Sequence, residues 1–129
     1  MAFHATQKAI EACDAQLQGR CSSRTVDVDF KWARFCLKSG VTILIKDGNS
    51  GVSAVSIDFT PAPESLIRLT DDKIVNKRND VIRYPPKNLS VRCSLLENID
   101  KVKVLNVSIG PYQVQDVEAI VNHIMRVPV

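Results

Sequence analysis

Side chains that could do chemistry are few in this 129-residue chain, and they are scattered. The two histidines, His4 and His123, lie near opposite ends, and His123 is predicted on the solvent side of the last helix. The neighbouring acids Asp71 and Asp72 precede Lys73, which is typical of a solvated turn. No nucleophile elbow or glycine-rich phosphate loop occurs. We therefore predict that the protein is not an enzyme and needs no cofactor.

The four cysteines, Cys13, Cys21, Cys36 and Cys93, do not follow a ligand or disulfide pattern. None falls in a C-x-x-C pair, and two histidines are too few for the common zinc sites, so no metal site is expected. The N-terminus lacks the features of a signal peptide. We expect free thiols, with Cys36 and Cys93 as small core residues.

A run of basic residues between positions 73 and 92 is the clearest charge feature. It consists of Lys73, Lys77, Arg78, Arg83, Lys87 and Arg92. Three interpretations stay open: a solvated surface, a site for an acidic protein partner, and a site for nucleic-acid phosphates. Nucleic-acid binding usually adds exposed aromatic side chains, and Tyr84 is the candidate in this segment.

The composition indicates one soluble domain with an aliphatic core. Hydrophobic residues make up 45% of the chain, charged residues 24% and aromatic residues 5%. The net charge of +3 permits an acidic partner without requiring nucleic acid. No apolar run reaches the ~18–20 residues that span a bilayer. We expect an intracellular protein, in the cytoplasm or the nucleus.

The hydrophobic periodicity predicts an α+β fold, with about six antiparallel strands in a meander between two helices. An N-terminal helix over 2–18 and a polar linker form segment 1–24, and residues 25–129 form a single sheet domain. The predicted strands are 26–32, 41–45, 55–59, 65–69, 81–84, 89–95 and 101–109, of which 65–69 is short. A C-terminal amphipathic helix over 114–126 is expected to pack on the sheet.

The second face of this sheet is predicted to be covered by the N-terminal helix or to be the partner-binding surface. Thr42, Leu44 and Val52 alternate with the core positions, so they are expected to line a partly apolar face. Trp32 follows the inward parity of its predicted strand, which favours burial, and its alternative role is the wall of a peptide-binding groove.

The order of these elements resembles the opening of a polo box. The matching residues are Trp32, Lys38, Gly40, Ile43, Ile45, Asp47-Gly48-Asn49 and 52–57. The resemblance implies a six-stranded antiparallel sheet with a helix across it. It also implies a protein-binding, dimerising module that places kinases or scaffolds at centrosomes and kinetochores.

Two other families show a partial resemblance. Pleckstrin-homology-like domains also end a strand meander with one amphipathic helix. Tudor domains have a D-Y-G-N turn similar to Lys46-Asp47-Gly48-Asn49. From the residues and these resemblances we predict a non-enzymatic module for protein interaction or dimerisation, active in cell division or scaffold assembly. It would bind a peptide or helix on the face or edge of the sheet, and a nucleic-acid-binding protein that uses segment 73–92 is the alternative.

Overall fold

A seven-stranded antiparallel sheet with two longer helices forms the protein. The computed structural model describes residues 5–48, 51–67, 80–84, 89–110 and 116–126. The strands are β1 Cys21–Val26, β2 Trp32–Leu37, β3 Thr42–Gly48, β4 Gly51–Thr60, β5 Asp80–Tyr84, β6 Leu89–Glu97 and β7 Lys103–Ile109. The helices are α1 Ala5–Gln16, α2 Glu64–Ile67 and α3 Val117–Arg126. The predicted α+β class is confirmed, with seven strands in place of about six.

The sheet consists of two meanders joined along one pair of strands. Its strand order is β1-β2-β3-β4-β7-β6-β5, and all neighbours are antiparallel. Strands β1 to β4 follow the chain order, and β5 to β7 form a second meander. The two meet where β4 pairs with β7, with Ile57 opposite Val107. The last described strand therefore lies inside the sheet, and β1 and β5 are the edges of the sheet.

One face of the sheet carries the hydrophobic core. Side chains alternate across a strand, and the odd-numbered residues of the central strands are the buried ones. They are Ala33, Phe35, Leu37, Ile43, Ile45, Val55, Ile57, Phe59, Leu105, Val107 and Ile109. Burial therefore follows the alternation that predicted strands 41–45 and 55–59, and it divides the sheet into a core face and an opposite face.

Helices α1 and α3 complete the same core. Alanines at positions 5, 9 and 12 of α1 are buried, and such small side chains let the helix approach the sheet closely. The apolar side of α3 is buried, as expected for the predicted amphipathic helix. It consists of Val117, Ile120, Val121, Ile124 and Met125. The first turn of α1 is tied to β3, because the Thr6 hydroxyl donates to the Asp47 carboxylate at 2.5 Å.

The strand predicted over 26–32 is wrong, and so is the linker predicted before residue 24. Strand β1 begins at Cys21, and Asp27 starts a tight turn that leads into β2. The amide of Phe30 donates to the Asp27 carbonyl at 3.0 Å, and the amide of Lys31 donates to the Asp27 carboxylate at 3.2 Å. An aspartate side chain that binds its own turn competes with strand pairing, which is why an alternating sequence bends here.

The short strand predicted over 65–69 is also wrong, since Glu64–Ile67 forms the short helix α2. The Leu66 amide donates to the carbonyl of Pro63 at 3.0 Å, and the fixed backbone angle of proline suits the start of a helix. The other strand predictions are confirmed with shifted ends. Residues 114 and 115 of the predicted last helix lie outside the described residues.

Gly48, at the end of β3, is a position where we expect a methyl group to destabilise the fold. A Cβ there would lie 2.9 Å from the Ala54 Cβ and 3.1 Å from the Ala54 carbonyl carbon. Gly48→Ala should lower the free energy of unfolding by about 1–3 kcal/mol, measured by urea denaturation. Gly110→Ala is the matched control, because a Cβ at Gly110 meets nothing within 4 Å. Equal stabilities of the two variants would contradict this packing.

The side chain of Arg20 caps the C-terminal end of α3. Its Nη1 donates to the Met125 carbonyl at 2.8 Å, which satisfies an acceptor that a helix end leaves open and places a cation at its negative end. Arg20→Ala should therefore cost about 1–2 kcal/mol in thermal or urea unfolding. Arg24→Ala is the control, because the Arg24–Asp14 salt bridge is exposed and such pairs contribute about 0–1 kcal/mol. A larger loss for Arg24→Ala would reverse this ranking.

Candidate interaction surface

The face of the sheet opposite the core is the candidate site, and we call it the open face. It is formed by the even-numbered residues of β2, β3, β4, β6 and β7 among those whose side chains are described. They are Trp32, Arg34, Cys36, Thr42, Leu44, Lys46, Ala54, Ser56, Asp58, Thr60, Arg92, Ser94, Leu96, Val104, Asn106 and Ser108. Most of these side chains are half-buried or exposed, in contrast to the core face. The described parts of α1 and α3 bury their apolar sides in the core cluster, on the other side of the sheet.

Strand register aligns the open-face residues into rows that cross the sheet. One row, in spatial order, is Trp32, Lys46, Ser56, Ser108 and Arg92. The next row is Arg34, Leu44, Asp58, Asn106 and Ser94. Adjacent strands lie about 4.8 Å apart, so neighbours in a row are close enough to contact one ligand together.

A hydrogen-bonded polar network occupies the middle of the open face. The side-chain amide of Asn106 donates to the Ser56 hydroxyl and to the Asp58 carboxylate, each at 2.7 Å. The Ser108 hydroxyl donates to the Asn106 carbonyl oxygen at 2.9 Å. Both amide hydrogens of Asn106 are used, which fixes the orientation of its side chain. The network therefore gives the centre of the face a defined polar surface.

Positive charge predominates on the open face. Arg34, Lys46 and Arg92 are exposed, and none of them forms a salt bridge with another described residue. The described carboxylate on this face is that of Asp58, which is half-buried and already accepts a hydrogen bond from Asn106. Three cations against one engaged carboxylate create a surface that attracts anions.

An apolar corner adjoins this charged surface at the turn between β1 and β2. Val28 is 87% exposed, and Phe30 and Trp32 are each 36% exposed. The burial predicted for Trp32 is therefore wrong. Trp32 is the first residue of β2 and stands opposite Lys46 on the open face, one position out of phase with buried Ala33. The turn at residues 27–31 shifted the parity on which the prediction depended.

The structure brings together three of the four predicted partner-binding residues. Trp32, Thr42 and Leu44 share the open face, with Leu44 and Thr42 half-buried. Val52 lies in β4, and its side chain is outside the described residues. Arg34 and Lys46 were not predicted from the sequence as site residues. Lys46 has the same parity in β3 as Thr42 and Leu44, and this alternation was the signal available in the sequence.

The predicted basic segment is described only in part. Lys73, Lys77, Arg78 and Lys87 lie outside the described residues. Arg83 belongs to β5, but its side chain is not among those described. Arg92 is exposed on the open face, in the same row as Lys46. The described part of the segment thus adds one cation to the open face.

Of the residues considered for chemistry, His4, Asp71 and Asp72 lie outside the described residues, whereas His123 and the four cysteines are described. All four cysteines are free thiols, and burial raises the pKa of Cys13 far above its ordinary value. Partial burial, with the nearby charge of Arg126, lowers the pKa of His123. Among the described residues, no three acidic, cysteine or histidine side chains are grouped as metal ligands. None of the described helices has the length and apolar character to span a bilayer.

Fold and face together define an α+β protein that is built on an antiparallel sheet with helices on one side and a basic, partly apolar surface on the other. Comparison of the chain with protein-family models, with curated proteins and with solved structures found no match. The resemblances to polo boxes, pleckstrin-homology-like domains and Tudor domains stay predictions, and the geometry of the open face carries the functional argument.

Proposed function

We propose that the protein is a non-enzymatic interaction module whose open face binds an acidic segment of a partner protein. One observation carries this proposal. Arg34 and Lys46 are exposed on one sheet face beside the apolar side chains of Trp32 and Leu44, and Arg92 is exposed on the same face across β4 and β7. Interfaces are enriched in arginine and tryptophan, and charge complementarity selects the partner and accelerates its association.

The arrangement of the face suits an extended peptide. Its cations lie on β2, β3 and β6, so a segment that crosses the strands would meet positive charge on both sides of the polar network. Ser56 and Asp58 at the centre offer hydrogen-bonding groups to a peptide backbone. The proposal includes a role as a dimeric scaffold in cell division, which the polo-box resemblance implies. That part of the proposal is supported by the order of the strands and helices.

Trp32 makes the proposal directly testable, because it is the one tryptophan of the chain and lies on the open face. We expect a dodecapeptide of alternating glutamate and serine to change the intrinsic fluorescence in a saturable way. Its lysine–serine counterpart should leave the fluorescence unchanged. The acidic peptide should bind more weakly as salt is raised from low to physiological ionic strength, since exposed charges are screened over about 8–10 Å. Equal responses to the two peptides would exclude an anion-selective face.

Single-stranded nucleic acid is a second candidate ligand, and the exposure of Trp32 favours it. A base could stack on this side chain while Lys46 and Arg34 contact phosphates. This version of the nucleic-acid hypothesis moves the site from segment 73–92 to the open face, with Arg92 common to both. An oligothymidylate of fifteen nucleotides should quench Trp32 in a salt-dependent way if it is correct. A response to this oligomer without a response to the acidic peptide would favour nucleic acid over protein.

A further inference from the structure

The turn between β1 and β2 has an unusual combination of exposure and backbone conformation. Val28, Phe30 and Trp32 are three of the four large apolar side chains that are exposed among the described residues. We call these three the apolar corner. The fourth is Ile99, in the turn between β6 and β7, at the opposite end of the sheet. Exposed apolar side chains that gather at one place mark interaction sites more often than scattered ones do.

Position 30 has a phenylalanine although its backbone conformation is one that favours glycine, asparagine or aspartate. Its φ is 55°, in the left-handed region that glycine, asparagine and aspartate occupy most easily. The matching turn after β6 places Lys101 in the same conformation, with φ of 61°. Phe30 is absent from the hydrophobic core cluster, so core packing does not account for an aromatic residue at this position. At 36% exposed, the side chain of Phe30 has surface available to a partner.

We propose that the apolar corner is an anchor site that takes one large apolar side chain of the acidic partner segment. This inference rests on the proposed function and adds a requirement to it. The ligand carries a leucine-, phenylalanine- or similar-sized residue next to its acidic residues. The charges argue for this arrangement, since Trp32 stands directly opposite Lys46 and two residue pairs along the strands from Arg34 and Leu44, on the same face. An anchor on Trp32 therefore places flanking carboxylates within reach of two cations.

The charges of the turn also favour a peptide over an anionic membrane. Asp29 is exposed between Val28 and Phe30, Asp27 precedes them and exposed Lys31 follows them, so the turn carries two carboxylates and one ammonium group. Carboxylates at the end of an apolar turn are repelled by the negative surface of a membrane, whereas a peptide can place its acidic residues away from them, toward Lys46. The corner is thus suited to a ligand that carries apolar and acidic groups at separate positions.

Calorimetric titration with two acidic dodecapeptides tests the anchor. The peptides differ at one position, which is leucine in the first and serine in the second. We expect the leucine peptide to bind about tenfold or more tightly, as is usual for an apolar side chain that becomes buried at the centre of an interface. In the variant Val28→Ser/Phe30→Asn this ratio should fall to about one, while binding of the serine peptide persists. Asparagine tolerates the left-handed conformation, so the turn is retained.

Ile99→Ser is the matched control, because Ile99 is 97% exposed in the other turn and lies far along the sheet from Trp32. It should leave the ratio unchanged, and circular dichroism melting confirms that each variant is folded. Equal affinities of the two peptides for the wild-type protein would overturn the anchor while leaving the acidic-peptide proposal intact. Failure of both peptides to bind would instead refute the proposed function. Sedimentation with vesicles of mixed phosphatidylcholine and phosphatidylserine that depends on Val28 and Phe30 would overturn the peptide anchor in favour of a lipid surface.

Discussion

Arg34→Glu/Lys46→Glu is expected to weaken binding of the acidic peptide by about a hundredfold or more, because opposed like charges at an interface cost several kcal/mol. The two residues lie on adjacent strands, with Lys46 directly opposite Trp32 and Arg34 in the next pair on the same face. Both side chains are exposed, so their replacement should change the free energy of unfolding by no more than about 0.5 kcal/mol each. Trp32 fluorescence gives the affinity, and urea denaturation gives the stability.

The control for net charge is Lys38→Glu/Lys101→Glu. Both lysines are exposed, and they lie in turns at the end of the sheet away from Trp32. Each double variant lowers the net charge from +3 to −1, because each replacement of a basic residue by glutamate lowers it by two. The control variant should retain most of the affinity. Equal losses of affinity in both variants would mean that the net charge of the protein attracts the peptide and that the open face is not its binding site. Arg92→Glu added to the first variant should lower the affinity further.

Phe59→Ala is expected to produce the largest loss of stability. Phe59 is fully buried in β4, with Ile43 and Leu105 opposite it on the two neighbouring strands. Truncation of a buried phenylalanine costs about 3–5 kcal/mol, from lost burial and from the cavity that remains. A domain has about 5–15 kcal/mol in total, so the variant should unfold at a much lower urea concentration or be unfolded in water.

Val104→Ala is the comparison for this prediction. Val104 is half-buried on the open face of β7, next to Leu105 but on the other side of the sheet. Its truncation should cost about 1 kcal/mol, because a half-exposed side chain loses less buried area. Similar losses for the two variants would show that the two faces of the sheet do not differ as the burial indicates.

Much of the fold follows from periodicity. Strands β3 and β4 and helix α3 were predicted because the alternation of buried residues, or their spacing of three and four, continues over most of each element. The start of the sheet was not predictable in the same way. The sequence from Val26 to Trp32 alternates as a strand does, and the turn at Asp27 is decided by its own side chain and by the pairing of β1 with β2. Pairing between segments is a tertiary effect that a local pattern does not contain.

The candidate site was predictable in position but not in composition. Parity alone placed Thr42 and Leu44 on the second face, and this is confirmed. Charge density along the chain points instead to segment 73–92. Arg34 and Lys46 are isolated in sequence and become neighbours of Trp32 only through the register of β2 and β3. Strand register depends on turn geometry and on burial. A charge cluster that forms across neighbouring strands therefore cannot be predicted from the order of residues in the sequence.

The position of β7 between β4 and β6 has a consequence for synthesis of the protein. The ribosome delivers β1 to β4 first, and the edge of β4 that β7 later covers stays open until residue 109 has emerged. During that interval the nascent chain presents an unsatisfied strand on which another nascent chain could assemble. Slow translation after β4 should therefore promote aggregation, and a β5–β7 fragment supplied in trans should suppress it by occupying the vacant edge.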